Sequence, residues 1–160
     1  MKYILVILLL MISHHLYSQT IGVEVVEYTF EEIEELQKQK QKPIVVFIHT
    51  SWCKFCYAMR EKTFANLEVT RLLNEYFYFV SLDAELKRPV RYMKHLFEYK
   101  KQTSSSGIHK LAEVLASTDK GLTYPTTVLL GENNIIDEQI DSYMSAKQFL
   151  WVLKRYLEVK

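Results

Sequence analysis

The chain has 160 residues, with 20 Lys and Arg against 19 Asp and Glu and a formal charge of +1. So even a balance, with no basic block, gives no electrostatic footprint for nucleic acid or for an anionic membrane surface. Two Trp, eleven Tyr and eight Phe argue for a packed globule with a real core and against a disordered chain.

Residues 1–18 read as a cleaved secretory signal. Lys2 supplies the positive start, Ile4 to Ile12 is unbroken apolar sequence, and a polar stretch ends in the small residue Ser18. The apolar run is shorter than the ~20 residues needed to span a bilayer. An uncleaved N-terminal anchor is the alternative, and with no cysteine nearby lipidation is excluded. Removing these residues takes away Lys2, so 20 − 1 = 19 bases face 19 acids. Residues 19–160 are then expected to form one domain. In an exported chain two thiols meet an oxidising space, where a disulfide persists.

Val23 to Tyr28 alternates weakly and predicts a short first strand. Thr29-Phe30-Glu31-Glu32 has the form of a capping box, and Phe30, Ile33 and Leu36 follow at helical spacing. Early acids and late lysines suit the helix dipole, and Pro43 ends the element. Ile44 to His49 is apolar almost throughout, as a strand buried on both faces should be. After the turn Thr50-Ser51-Trp52, the pattern becomes helical from Cys53, with Cys56, Met59, Arg60, Phe64, Leu67, Leu72 and Leu73 in phase. Phe77 to Leu82 predicts another apolar strand, ending at Asp83.

Residues 84–107 predict a partly helical insertion, with Tyr92, Met93, Leu96, Phe97 and Tyr99 on its apolar side and an exposed loop over Lys100 to Gly107. A short amphipathic helix over Ile108 to Leu115 follows. Tyr124-Pro125-Thr126 leads into the strand Thr127 to Leu130, Gly131 to Asn134 is a hairpin turn, and Ile135-Ile136 begins the returning strand. Ser145-x-x-Gln148 is a second capping box before a C-terminal helix carrying Phe149, Leu150, Val152, Leu153, Tyr156 and Leu157.

The chemistry-bearing stretch is Trp52-Cys53-Lys54-Phe55-Cys56, which holds both cysteines of the chain directly after a strand. A thiol reacts as its thiolate, and a free cysteine with a pKa near ~8.5 is only ~3% ionised at neutral pH. At a helix N-terminus the unpaired N–H groups and the dipole favour an anion, and Lys54 adds a nearby positive charge. Cys53 is therefore the candidate nucleophile and Cys56, one turn on, the resolving thiol. Trp52 either shields the dithiol from water or simply packs in the core, and Lys54 is equally readable as a solvated surface charge. His49, four residues before Cys53, is a candidate proton carrier or a satisfied buried histidine. Glu61 and Asp83 are further acids with no distinguishing spacing. Tyr92 and Tyr99 either line a substrate groove or pack the insertion.

With Trp52-Cys53-x-x-Cys56 after one strand and Tyr124-Pro125-Thr126 before another, the chain resembles the thioredoxin superfamily over roughly residues 25–158. It is most similar there to exported dithiol domains of periplasmic thiol–disulfide interchange proteins. The resemblance implies an α/β thioredoxin fold, a central mixed sheet flanked by helices, with the insertion placed before the cis-proline strand. It implies a cis bond at Tyr124–Pro125 and places Tyr124, Pro125 and Thr126 against an extended substrate backbone, with Trp52, Lys54, Phe55 and His49 supporting the dithiol. The implied activity is thiol–disulfide exchange, in the reducing direction, on protein thiols and disulfides outside the cytoplasm. A membrane-borne or exported redox partner is expected, and no further cofactor or metal. Three departures stand out: Lys54-Phe55 replaces the usual Gly-Pro, Phe47 stands where a buried carboxylate is usual, and the stretch from Cys56 to Pro125 is long. Two other readings remain open at this point. One is a structural zinc site, for which Cys-x-x-Cys is half a ligand set. The other is a non-catalytic peptide- or partner-binding domain with a structural disulfide.

Overall fold

A computed structural model describes residues 24–104, 106–119 and 121–159. The expected signal segment over residues 1–18 lies outside the described residues. Helix α1, Phe30–Gln39, starts at Thr29, whose hydroxyl accepts from the Glu32 N–H while the Glu32 carboxylate accepts from the Thr29 N–H. The expected capping box is therefore formed at both of its bonds. Strand β1, Ile44–His49, is buried along five of its six residues because both faces are covered.

The turn after β1 leads into α2, Lys54–Ala58, which widens to π-type hydrogen bonding over Met59–Phe64. The helical pattern read from Cys53 onward is interrupted at Asn66. Its side chain accepts from the Glu68 and Val69 N–H groups and starts α3, Leu67–Tyr76. Strand β2, Tyr78–Asp83, then runs parallel to β1, pairing Phe47 with Ser81 and His49 with Asp83.

The segment after β2 departs from expectation. In place of a partly helical insertion, it forms two antiparallel hairpins: β3, Val90–Tyr92, with β4, His95–Phe97, and β5, Tyr99–Lys101, with β6, Gly107–His109. Tyr92, Met93, Leu96 and Phe97 imitate helical spacing. However, Met93 and Lys94 adopt φ of 51° and 65°, the conformation of a tight primed turn that brings Tyr92 opposite His95. The first hairpin docks on α1, with the Tyr92 ring 4.6 Å from that of Phe30 and the Arg91 N–H bonded to Glu31 at 2.9 Å. Tyr92 is buried and its hydroxyl bonds Asn134, so it packs the insertion and lines no groove. Of the loop expected over Lys100 to Gly107, Lys100 and Lys101 belong to β5 and Gly107 to β6. At Gly107 a Cβ would stand 2.4 Å from the Lys100 carbonyl oxygen, which is why the strand pair needs glycine there.

Helix α4, Lys110–Ala116, starts two residues later than the spacing suggested, because Ile108 and His109 are held in β6. Strand β7, Thr126–Leu130, runs antiparallel to β1, and β8, Ile136–Ile140, returns beside it after the expected turn. Helix α5, Ala146–Val159, begins after the Ser145–Gln148 box. The four-stranded sheet has the order β2-β1-β7-β8. The first strand expected over Val23 to Tyr28 is reduced, within the described residues, to one bridge between Glu27 and Phe79.

Alternation along the strands divides the core in two. Val46, Ile48 and Val128 face α1 and α4, whereas Val45, Phe47 and Leu129 face α2, α3 and α5. The second layer contains both cysteines. Among the described residues, no helix is long and apolar enough to cross a membrane.

Candidate functional site

Three chain segments converge where β1 ends. Thr50 turns the chain, its carbonyl accepting from the Cys53 N–H at 3.3 Å, and Cys53 caps α2. The Cys53 Sγ accepts from the Cys56 N–H at 3.1 Å, so a sulfur does the work that a serine or aspartate oxygen does at most helix starts. Cys53 and Cys56 are joined as a disulfide, with Cα atoms 5.2 Å apart. Cys53 is 7% exposed and Cys56 2%, so the nucleophile expected from sequence is the more open of the pair.

The second segment is the start of β7. Ile48 pairs with Thr126, which sets Pro125 beside the end of β1. The Tyr124–Pro125 bond is cis, as the resemblance implied. Pro125 and Thr126 are buried, and the Thr126 hydroxyl donates to the Thr123 carbonyl at 2.8 Å. Thr126 is thus committed to shaping the loop through its side chain. The third segment leads into α5. The buried Thr63 hydroxyl donates to the Met144 carbonyl at 2.7 Å, tying this segment to the π-type turn. Tyr143 thereby lies 6.2 Å, ring to ring, from Phe55.

Around the nearly closed disulfide stand large exposed rings: Trp52 at 65%, Phe55 at 64% and Tyr57 at 66%. Trp52 does not sit in the core. Its ring meets Tyr124 edge-on at 5.9 Å, and its Nε1–H donates to both Glu85 carboxylate oxygens at 3.2 Å. Burial pushes the Tyr124 phenol up, with the Glu85 and Asp83 carboxylates adding to the effect. Lys54 is exposed.

His49 sits on the same face as Phe47, stacked on it at 5.5 Å. Its Nε2 is 2.7 Å from Arg60 Nη2, which also donates to Ser81 Oγ at 2.5 Å. Burial pushes the imidazole below its ordinary value and Arg60 pushes it further, against the opposing pull of Asp83 and the Thr50 backbone. Burial likewise lowers His109, whose Nδ1 accepts from the Leu111 N–H at the start of α4. Folding therefore disfavours the charged form of both rings. As pH falls through the unfolded histidine value of ~6.5, the unfolded chain takes up protons before the folded one does. The stability these rings contribute is complete above that value and declines below it. The urea midpoint is expected to be lower at about pH 5.5 than at about pH 7.5. Equal midpoints would contradict this account of the two histidines.

Arg60, Glu85 and Tyr143 are the site neighbours that sequence reading did not single out. Arg60 left a signal, a lone cation on the apolar stripe of a helix. Glu85 and Tyr143 left none, since each reaches the site only through tertiary packing. Glu61 is exposed on the π-type turn. Asp83 stays at the end of β2 and accepts from the Glu85 N–H at 2.9 Å. Among the described residues, no group of three His, Cys, Asp or Glu side chains is placed to hold a metal ion.

Residues 30–157 match the thioredoxin-like domain family. The chain belongs to that family. The described chain also superposes on solved structures that share the fold. DsbH oxidoreductase gives a TM-score of 0.59 at 17% identity, with 91% of this chain and 94% of that one covered. A thioredoxin from Thermus thermophilus gives 0.58 at 16% identity, with 84% and 88% covered. A disulphide isomerase from Xylella fastidiosa Temecula1 gives 0.54 at 12% identity, with 89% and 96% covered. Among curated proteins, mouse (Mus musculus) spermatogenesis-associated protein 20 is 36% identical over 77 residues, 48% of this chain. The thioredoxin-like domain corresponds there to a small part of a much longer protein, because the match covers 10% of that relative's length. Fold and Cys-x-x-Cys disulfide together fit the thiol–disulfide oxidoreductase class.

Proposed function

We propose that this protein carries out thiol–disulfide exchange on exported proteins, reducing their disulfides through Cys53 and Cys56. The observation that carries the reading is a disulfide at the first turn of a helix, beside a cis-proline loop and ringed by exposed aromatic side chains. In the reduced protein, the Cys53 thiolate attacks one sulfur of a substrate disulfide. A Cys53–substrate bond forms and the other substrate sulfur leaves as a thiolate. Cys56, losing its proton, then attacks the Cys53 sulfur, re-forming the intramolecular disulfide and releasing the second substrate sulfur. Two electrons pass to the substrate in each cycle, and a membrane-borne or exported dithiol restores them.

The helix N-terminus favours the Cys53 anion. The backbone of the Tyr124–Thr126 loop would take an extended substrate segment, with the Trp52, Phe55 and Tyr143 rings around the disulfide to hold its side chains. The exported setting is supported by the character of residues 1–18. Insulin reduction by dithiothreitol is the direct test. The protein lacking residues 1–18 is expected to accelerate insulin precipitation at least about tenfold over dithiothreitol alone, and Cys53→Ser to abolish the acceleration. The low exposure of both sulfurs favours one rival, a partner-binding domain with a structural disulfide. No acceleration by the unaltered protein would decide for that rival.

A further inference from the structure

The bond between Arg60 and His49 lies on the dithiol side of β1, and the exchange steps make no use of it. Arg60 is four residues beyond Cys56 on the same helical segment, and side chains at that spacing are neighbours. Its guanidinium lies over the Phe47 ring, 5.6 Å from the centroid. Phe47 in turn packs in the buried layer that contains Cys53 and Cys56. Nη2 reaches His49 Nε2 at 2.7 Å and Ser81 Oγ at 2.5 Å, so one guanidinium joins the π-type turn, β1 and β2 on the face of the sheet that carries the disulfide.

A guanidinium donates hydrogen bonds, accepts none and keeps its charge in proteins. The Nε2 of His49 must therefore offer its lone pair, and the ring's single proton sits on Nδ1. The other charges around this pair are few. Asp83 is the β2 partner of His49. Glu27, from the segment before α1, meets Arg60 Nη1 at 3.5 Å where both side chains are partly exposed. β7, on the other side of β1, brings only Thr126 and Thr127 alongside, and neither is charged. Arg60 is therefore the ring's hydrogen-bonded charge, and Asp83 is the carboxylate that faces the ring from β2.

We infer that Arg60 is a positioning residue for the dithiol, pinning His49 as an uncharged acceptor and holding a permanent positive charge on the face of the sheet that carries the two sulfurs. This inference rests on the exchange reading above. Reduction by an external dithiol passes two electrons to the Cys53–Cys56 bond and leaves two sulfurs. When one of them ionises, its proton goes to water, and the anion is favoured by the fixed cation and the helix terminus together. His49 takes no proton in the cycle.

Thiolate absorbance of the fully reduced protein, followed against pH, tests the inference together with a histidine NMR titration. Arg60→Met is expected to raise the thiolate transition by about one unit, leaving about tenfold less thiolate below it. Arg60→Lys should keep most of the wild-type position, because the charge is retained. His49→Gln, whose amide oxygen still accepts from Arg60, should move the transition by no more than a few tenths of a unit. In the wild type the His49 ring should stay neutral through the thiolate transition, and in Arg60→Met it should titrate closer to its ordinary value. A folded Arg60→Met protein with an unmoved transition overturns the inference. So does a His49→Gln shift of about one unit, which remains decisive if Arg60→Met does not fold. Failure here with insulin reduction intact removes only the role of Arg60. Loss of insulin reduction with the shift present removes the exchange reading and leaves the cation in place.

Discussion

Cys56→Ala will accumulate mixed disulfides with exported proteins, and Cys53→Ala will not. The two sulfurs differ in what surrounds them. Cys53 caps α2, accepts the Cys56 N–H and is the more exposed, so an incoming disulfide meets it first. Cys56 lies one turn further in and is 2% exposed, in the buried layer that also holds Met59 and Phe47, where the Cys53 sulfur is the one within reach. In the intact protein Cys56 resolves the mixed disulfide from a neighbouring position, at an effective concentration far above that of any free thiol. Removing it should lengthen the life of the intermediate by on the order of 100-fold. Removing Cys53 leaves a thiol that substrate disulfides rarely contact. Non-reducing electrophoresis of the exported fraction, after acid quenching and alkylation, reads both outcomes. Equal trapping by the two variants would reverse or erase the assigned roles.

Phe47→Ala should lower the free energy of unfolding by about 3–5 kcal/mol, among the largest effects of any single truncation in the chain. The ring is fully buried at the centre of β1, 4.8 Å from Phe64, with His49 stacked on one side and Arg60 over it. Strand β1 is flanked by β2 and β7, so the backbone has little freedom to close the gap. Urea unfolding of the oxidised protein should show an earlier midpoint with an unchanged slope, since the same surface is exposed. Phe47→Leu, which leaves a smaller void, should cost about 1–2 kcal/mol. A loss below about 1 kcal/mol for the alanine variant would mean that the site relaxes and that packing around Phe47 is loose.

Several elements were legible because short-range chemistry specifies them. Thr29 with Glu32 and Ser145 with Gln148 cap helices through bonds three residues apart, and both pairs form as their spacing predicts. β1 reads as a central strand because a strand covered on both faces has no polar side to show. Cys53 and Cys56 read as a dithiol because their spacing alone brings two sulfurs to one turn. The insertion is ambiguous in sequence for a similar local reason. Tyr92, Met93, Leu96 and Phe97 satisfy a helical period as well as they satisfy a hairpin. Two residues at positive φ, and docking against Phe30 and Glu31 of α1, decide between the two. Of the first strand expected over Val23 to Tyr28, the described residues keep one bridge, because the chain turns at Thr29 into the cap of α1.

The sequence by itself determined where the two cysteines meet and which faces are buried, because periodicity, capping and a two-residue gap between cysteines act within a turn or two of chain. Tertiary structure alone decided what surrounds the disulfide. Glu85 reaches Trp52 across 33 positions, Arg60 reaches His49 across 11, and Pro125 reaches the end of β1 through an antiparallel register. Contacts of that kind depend on strand order and on how two layers close on a sheet, which no local pattern encodes. They place an exposed aromatic rim and a proline loop around two sulfurs that the sequence could only set side by side, and a cation on the same face of the sheet.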